Sequence, residues 1–298
     1  MSCNRLNSKE SVLGDFLAEE FRIEIKVSEK MLIRNIIRDL RRMIAEQKLY
    51  ITEKLVNALL DDEEVKAMLN ATNAIVVDYL RYNDHGWAHA VITTRNAIKI
   101  LSIIRDSVPP NIVKYEHGSF DDAAFVVALA AFLHDVGNMI HRDLHWLNSV
   151  RIAEPVIWRY INEFYGDENS ERKWLLFAHV ANSIFCHDEN VQAFTIEASA
   201  VKVGDGCDMA AGRSRRPYSI GKVDIHSVSA LSITEVDITS GMEKPLRIII
   251  NMSNPAGIFQ VEEILLPKLK TSLLYDKTEI VTLVDGKPLK LSKGLLTS

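Results

Sequence analysis

Apolar residues recur at helical spacing through most of the first two thirds of the chain. Residues 29–48 carry an apolar side chain every three or four positions, which predicts an amphipathic helix. Pro109 and Pro110 interrupt the pattern and predict a loop, because proline cannot continue a helix. Asp121 and Asp122 open another helical pattern, at a position where carboxylates complement the helix dipole. Similar spacing predicts helices near residues 52–60, 63–81, 88–105, 121–137, 145–164, 171–187 and 192–211.

The pattern changes near residue 212, where a basic, glycine-bounded segment follows the last of these helices. Beyond it, residues 231–238 and 246–250 are typical of β-strands. Residues 255–273 predict a helix, and residues 279–284 predict a further strand. The order strand, strand, helix, strand predicts a small α+β sandwich of ferredoxin-like type.

These patterns predict a mainly α protein in three parts. A helical extension covers residues 1–70, an all-helical core covers residues 71–215, and a small α+β domain covers residues 222–298. We expect the small domain to serve dimerisation through the edge of its sheet, so that the protein is a homo-oligomer. Residues 254–259 resemble the turn that opens the first helix of ligand-sensing ACT modules, which leaves ligand sensing as the alternative.

Length and composition fit a globular protein with a sizeable core. Of the 298 residues, 47% are hydrophobic and 25% are charged. The net charge of −5 disfavours bulk attraction to nucleic acids or membranes, so neither is expected as a partner. No apolar run reaches membrane-spanning length and the polar start is no signal peptide, which favours a cytoplasmic location. Cys3, Cys186 and Cys207 lack metal-site spacing and predict free thiols in a reducing compartment.

The adjacent pair His134-Asp135 lies inside the apolar run 128–137. Burying an imidazole and a carboxylate together costs desolvation free energy, which a bound cation offsets. Both groups suit divalent ions of the Mn, Fe, Ni, Co, Zn or Mg kind. The pair therefore predicts a metal site if suitable partners lie elsewhere in the chain.

Candidate partners lie on both sides of the pair. Upstream, His85 and His89 are four residues apart, so that on a helix they project from one face. Downstream, Asp205 and Asp208 lie in a segment with the apolar spacing of a buried helix. The order along the chain is therefore His, then His-Asp, then Asp.

This ordered set resembles the HD-domain superfamily of metal-dependent phosphohydrolases. Four residues after the pair match that family's run His-Asp-x-Gly…Arg…His…Ser: Gly137, Arg142, His145 and Ser149. Residues 201–210 resemble the family's Val-x-Ala-Asp-x-x-Asp segment, with Gly204 where alanine is usual. The resemblance covers residues 75–215 and implies that two outer helices bring one His and one Asp to the metal.

The resemblance also implies a set of metal ligands: His89, His134, Asp135 and Asp205. His89 is preferred over His85 because Ala97 and Ile100 follow it at the spacing that the family shows after its first ligand. A second ion would add two histidines, and His145 and His187 fit these positions, with His141 and His179 as competitors. Asp135 would then bridge the two ions.

Hydrolysis of a phosphate ester of a nucleotide or related small molecule is the activity that the resemblance implies. A divalent ion would polarise the phosphoryl oxygen and activate water, and Asp135 or Asp208 would accept the proton of that water. Arg142 would balance the phosphate charge. His85 falls where cyclic-nucleotide phosphodiesterases carry a proton-donating His, and would protonate the leaving oxygen. Three further arginines are predicted either to bind phosphate or to form a surface linker: Arg213, Arg215 and Arg216.

Two other functions stay open. One is a catalytically idle regulatory protein that binds metal or nucleotide, against which the intact ligand set argues. The other is a di-iron oxygenase on the same scaffold, which metal identity and oxygen uptake would distinguish from a hydrolase. His117, His179 and His226 are more typical of hydrogen-bonded core histidines than of metal ligands.

Overall fold

The structure is a computed structural model and describes residues 31–80, 82–210 and 225–289, apart from the side chains of His226 and Ser227. It confirms the predicted fold class, a mainly helical core followed by a small α+β module. None of the helices in these ranges is long and apolar enough to cross a membrane.

Apart from a short helix in the loop predicted after Pro110, the core helices agree with the predicted ones to within little more than one turn. They are α1 (31–46), α2 (Tyr50–Asp61), α3 (Glu63–Asn73), α4 (Trp87–Ile104), α5 (Asn111–Lys114), α6 (Phe120–Leu133), α7 (His145–Phe164), α8 (Ser170–Phe185) and α9 (Ile196–Gly206). A π-helical turn, Ala74–Tyr79, extends α3, and a 3-10 turn, Val136–Met139, follows α6. Cys186 and Cys207 are free, buried thiols, as predicted.

Helix α6 forms the centre of the core, since its residues 122–133 are all buried. It begins at a capping box, in which the Ser119 hydroxyl accepts from the Asp122 backbone N–H and the Asp122 carboxylate accepts from the Ser119 N–H. Helices α2, α4, α8 and α9 all contact α6. The helix ends where His134 begins, so the His-Asp pair emerges in the middle of the protein.

The helices before residue 70 belong to the same body as the core. The Asp121 carboxylate accepts hydrogen bonds from the backbone N–H groups of Ile51 and Thr52, 2.8 and 3.0 Å long, and so caps α2 from the start of α6. Helix α3 also runs across the predicted boundary at residue 70. The first helices therefore support the helix that carries the His-Asp pair.

The C-terminal module is a four-stranded mixed sheet with a helical crossover. Helix α10 (Ile225–Leu231) leads into the strands β1 (Ile233–Ser240), β2 (Leu246–Met252), β3 (Thr278–Val284) and β4 (Lys287–Pro288). The crossover, α11 (258–270), comprises the segments Ile258–Gln260, Val261–Leu265 and Leu266–Lys270 and connects β2 to β3. The strand order is sequential, with β1 antiparallel to β2 and β2 parallel to β3.

This strand order departs from the ferredoxin-like type in one respect. A ferredoxin-like sheet is built on a split β-α-β unit, in which another strand separates the two that the helix connects. Here β2 and β3 are direct neighbours, with Leu246 opposite Thr278. The α+β character is as predicted, whereas the order of strands depends on contacts that the local pattern does not encode.

The module lies directly against the core. The backbone N–H of Ala193 donates to the carbonyl of Thr271 (2.8 Å), and the N–H of Leu273 donates to the Ser199 hydroxyl (3.0 Å). The buried ammonium of Lys202 donates to the Thr271 hydroxyl, 2.8 Å away. Apolar residues of the sheet and of the core helices also form one continuous buried cluster. The end of α11 is therefore fixed to α9 and to the loop before it.

Candidate metal centre

Four buried histidines face one another in two pairs. The Nε2 atoms of His89 and His134 lie 3.1 Å apart, and those of His145 and His187 lie 3.0 Å apart. All four side chains are almost inaccessible to solvent. The four imidazoles therefore present the same nitrogen to one shared centre.

The second nitrogen of each ring determines where its proton lies. The Nδ1 atoms of His134, His145 and His187 donate to the backbone carbonyls of residues 131, 142 and 184, at 2.8, 3.0 and 2.6 Å. A carbonyl oxygen can only accept, so these Nδ1 atoms carry a proton, and in the neutral imidazole each Nε2 keeps a lone pair. Two lone pairs that face each other at about 3 Å repel unless a cation lies between them.

Asp135 lies between the two histidine pairs. Its Oδ2 is 3.3 Å from His89 Nε2 and 3.4 Å from His134 Nε2. Its Oδ1 is 3.5 Å from His145 Nε2 and 3.6 Å from His187 Nε2. One carboxylate thus offers one oxygen to each pair, which is the arrangement of a ligand that bridges two ions.

The carboxylates of Asp205 and Asp208 both lie next to the His89 imidazole. Asp205 Oδ1 lies 3.3 Å from His89 Nε2 and 3.8 Å from His134 Nε2, where it can be a further ligand. Asp208 Oδ2 lies 2.6 Å from His89 Nδ1, behind the ring rather than at the centre. This carboxylate–histidine pair fixes the orientation of a metal-binding imidazole.

Short local segments bring these side chains together. His134 and Asp135 follow the last turn of α6, His89 lies in the first turn of α4, and His145 is the first residue of α7. Helix α4 begins at Trp87, so His85 lies in the preceding loop and not on the helix of His89. Its Nδ1 nevertheless lies 2.5 Å from Asp135 Oδ2.

Two glycines allow this convergence. A Cβ on Gly137 would lie 2.1 Å from the carbonyl oxygen of His145 and 2.3 Å from the backbone nitrogen of Ser149. A Cβ on Gly204 would lie 2.7 Å from the backbone nitrogen of Ala97. Glycine therefore lets α7 approach the His-Asp turn and lets α9 approach α4. Ser149 accepts from the N–H of Gly137 (2.8 Å) and secures the first contact.

The electrostatic environment differs between the two histidine pairs of the centre. Burial opposes ionisation of Asp135, but the charges of His134 and His85 hold the pKa of its carboxyl well below the usual range. Burial lowers the pKa of His134, yet the negative charge of Asp135 outweighs this effect and the pKa is raised. Burial and the neighbouring imidazole of His187 lower the pKa of His145 to about 2, which leaves it neutral. Anionic oxygens and neutral nitrogens are the ligand types that divalent ions bind.

A cavity of about 310 Å³ opens onto the centre. Arg142 and His85 line it together with residues of the centre, and Arg142 Nη1 donates to Asn138 Oδ1 at 3.1 Å. The far wall comes from the C-terminal module, through residues of α11: Gln260, Glu263, Ile264 and Lys268. The volume is at the lower end of the range for small-molecule pockets, about 300–1,000 Å³.

The two histidines that competed for the roles of His145 and His187 lie elsewhere in the structure. His141 is exposed, and its Nδ1 accepts from the N–H of Asp143 (2.9 Å). His179 lies beside His117, with ring centroids 6.4 Å apart, away from the centre. The predicted phosphate-binding residues Arg213, Arg215 and Arg216 lie outside the described residues, as do Cys3 and the side chain of His226.

Sequence reasoning missed Lys268 and Asn138. Lys268 Nζ lies 2.8 Å from Asp205 Oδ2, and Asn138 Nδ2 donates to Asp135 Oδ1 at 2.9 Å. Asn138 is close to the His-Asp pair in the sequence, so its contact with Asp135 could have been predicted from that proximity. Lys268 follows an apolar pair, Leu265 and Leu266, in a different part of the fold, and no local motif marks it.

The fold and the site together define a class of protein. It has a mainly helical core, which holds a buried His/Asp cluster able to bind metal ions, and a small α+β module joined to that core. Over 223 residues, 74% of its length, the chain is 40% identical to "Uncharacterized protein MJ1020" of Methanocaldococcus jannaschii, and the match covers 85% of that protein. The chain therefore belongs to the same protein family as MJ1020. No protein-family model and no solved structure matches the chain.

Proposed function

We propose that this protein is a metal-dependent hydrolase that cleaves a phosphate ester of a small molecule, such as a nucleotide, with two divalent ions. The observation that carries the proposal is the position of Asp135, whose two oxygens each face one pair of imidazole nitrogens. Paired ions that share one carboxylate are typical of enzymes that act on phosphate esters.

The donor set fits such ions. His89, His134 and Asp205 would hold the first ion, and His145 and His187 would hold the second, with Asp135 shared between them. Hydrogen bonds fix the outer nitrogen of each imidazole, as is usual for metal-binding histidines. The bound ions would supply Lewis acidity and a water molecule of lowered pKa.

The residues around the cavity have roles that suit phosphate-ester cleavage. The Arg142 guanidinium, held by Asn138, would bind the phosphate oxygens and offset their charge. His85 lines the cavity and would donate a proton to the leaving oxygen, while the Asp135 carboxylate stabilises its imidazolium. Asp208 would act through His89, whose ring it orients.

The test combines elemental analysis with phosphate release. The wild-type chain is assayed with Mn, Mg, Ni and Co on a panel of phosphomonoesters and phosphodiesters, beside His134→Ala and His187→Ala. We expect two ions per wild-type chain, and loss of metal together with at least about a hundredfold loss of turnover in both variants. His141→Ala, an exposed histidine near the centre, is the matched control and should retain both properties.

Each alternative outcome has a distinct meaning. Unchanged metal content and turnover in His134→Ala would contradict the proposal. Two bound ions without turnover on any ester would favour a regulatory role. Two irons with oxygen uptake would identify an oxygenase on the same ligand set.

A further inference from the structure

Lys268 belongs to the C-terminal module, yet its ammonium lies beside the metal centre. The residue lies on α11 and is only 7% exposed. Its neighbours Leu265, Leu266 and Leu269 are buried and apolar. Burying a charge costs desolvation free energy unless the charge is paired and hydrogen-bonded, so this ammonium needs partners that offset that cost.

Three acceptors surround the ammonium. Lys268 Nζ lies 2.8 Å from Asp205 Oδ2 and 2.9 Å from the backbone carbonyl oxygen of His187. Glu189 Oε2 lies 3.5 Å away. The two shorter distances are those of hydrogen bonds, whereas the contact with Glu189 is an ion pair. Lys268 is therefore held as an anchor between Asp205 and the main chain of His187.

Because of this anchor, the two oxygens of the Asp205 carboxylate face different partners. Oδ2 faces the ammonium, whereas Oδ1 faces the Nε2 atoms of His89 and His134. The same ammonium holds the main chain of His187, whose imidazole faces His145. One side chain of the C-terminal module thus contacts a residue from each half of the centre.

We propose that Lys268 is a positioning residue that keeps Asp205 a one-oxygen ligand, so that the C-terminal module completes the metal centre. The inference rests on the proposed two-metal function. Without the ammonium, the second oxygen of Asp205 is released to turn towards the first ion. It would then fill a coordination position that water or a substrate oxygen needs, since catalytic metal sites keep one position open.

The test uses the full chain loaded with cobalt, because the visible absorption of Co²⁺ weakens as its coordination number rises. Lys268→Met removes the ammonium and keeps most of the length of the side chain, and Lys268→Arg keeps the charge. We expect Lys268→Met to bind two ions, to show weaker cobalt absorption and to lose about 10–100-fold in phosphate release. Lys268→Arg should recover most of the wild-type spectrum. Lys270→Met, an exposed lysine on the same helix, should behave as wild type.

The outcomes separate this inference from the proposed function. A wild-type chain that binds no metal would overturn both. Two bound ions in the wild type, with a wild-type spectrum and turnover in Lys268→Met, would overturn the role of Lys268 alone. A purely structural role would lower the melting temperature and leave the cobalt spectrum unchanged. If Lys268→Met does not fold, Lys268→Gln gives the same comparison, because its amide is uncharged and shorter.

Discussion

At the scale of single residues, the two nitrogens of each imidazole in the centre have different roles. Nε2 faces the centre, and Nδ1 donates to a backbone carbonyl or, in His89, lies against a carboxylate. A carboxylate behind the ring makes the metal-binding nitrogen more basic than a carbonyl does. His89 is thus the histidine whose affinity for metal depends most on one neighbouring side chain.

Replacement of Asp208 tests that dependence. In Asp208→Ala the His89 ring loses the partner 2.6 Å from its Nδ1, so we expect metal binding to weaken by about 10–100-fold. Asp208→Asn keeps an acceptor oxygen without the charge and should fall between the alanine variant and the wild type. Affinity is measured by competition with a chelator. Asp143→Ala, which removes an exposed carboxylate near the centre, is the control, and equal affinity in all four proteins would rule out the role of Asp208.

At the scale of elements, α9 combines close packing with the placement of a ligand. Gly204 lies one residue before Asp205 and faces the backbone of α4, the helix that carries His89. The short distance between α4 and α9 explains the glycine here, since a Cβ would lie 2.7 Å from the backbone nitrogen of Ala97.

Gly204→Ala should therefore destabilise the protein although alanine favours helix. Helix propensity would contribute about 1 kcal/mol of stability, but overpacking against a backbone that cannot rotate away costs about 1–3 kcal/mol. We expect a net loss in the free energy of unfolding, measured by urea titration of the metal-free protein, and weaker metal binding as α4 moves away.

Gly206→Ala is the matched control on the same helix. Its added carbon would lie 3.2 Å from Lys268 Cδ and 3.3 Å from Leu265 Cδ1, and its nearest backbone atom, Leu265 Cα, would be 3.7 Å away. We expect a smaller loss of stability than in Gly204→Ala. A more stable Gly204→Ala protein would show that α4 and α9 are not in such close contact.

At the scale of the whole molecule, the parts predicted from sequence are those that local pattern determines. Helical periodicity predicted the core helices other than α5, and the ordered His, His-Asp and Asp residues indicated which side chains converge on Asp135. Lys268 could not be predicted, because its contact with Asp205 depends on how α11 crosses the sheet and lies against α9. The strand order could not be predicted either, because the direct pairing of β2 with β3 depends on tertiary contacts.

Because Lys268 joins the module to the centre, metal binding should stabilise both parts together. Each ion at about 100 times its dissociation constant should stabilise the folded state by about 2.7 kcal/mol. Hydrogen exchange of the full chain, with metal and with chelator, locates this effect. We expect metal to slow exchange in α9 and α11 of the wild type, but mainly in α9 of Lys268→Met, because that variant lacks the contact that transmits it. Lys270→Met should show the wild-type pattern. Slowing confined to α9 in the wild type would mean that the C-terminal module responds independently of the metal centre, and that the hydrogen bonds of Lys268 do not couple them.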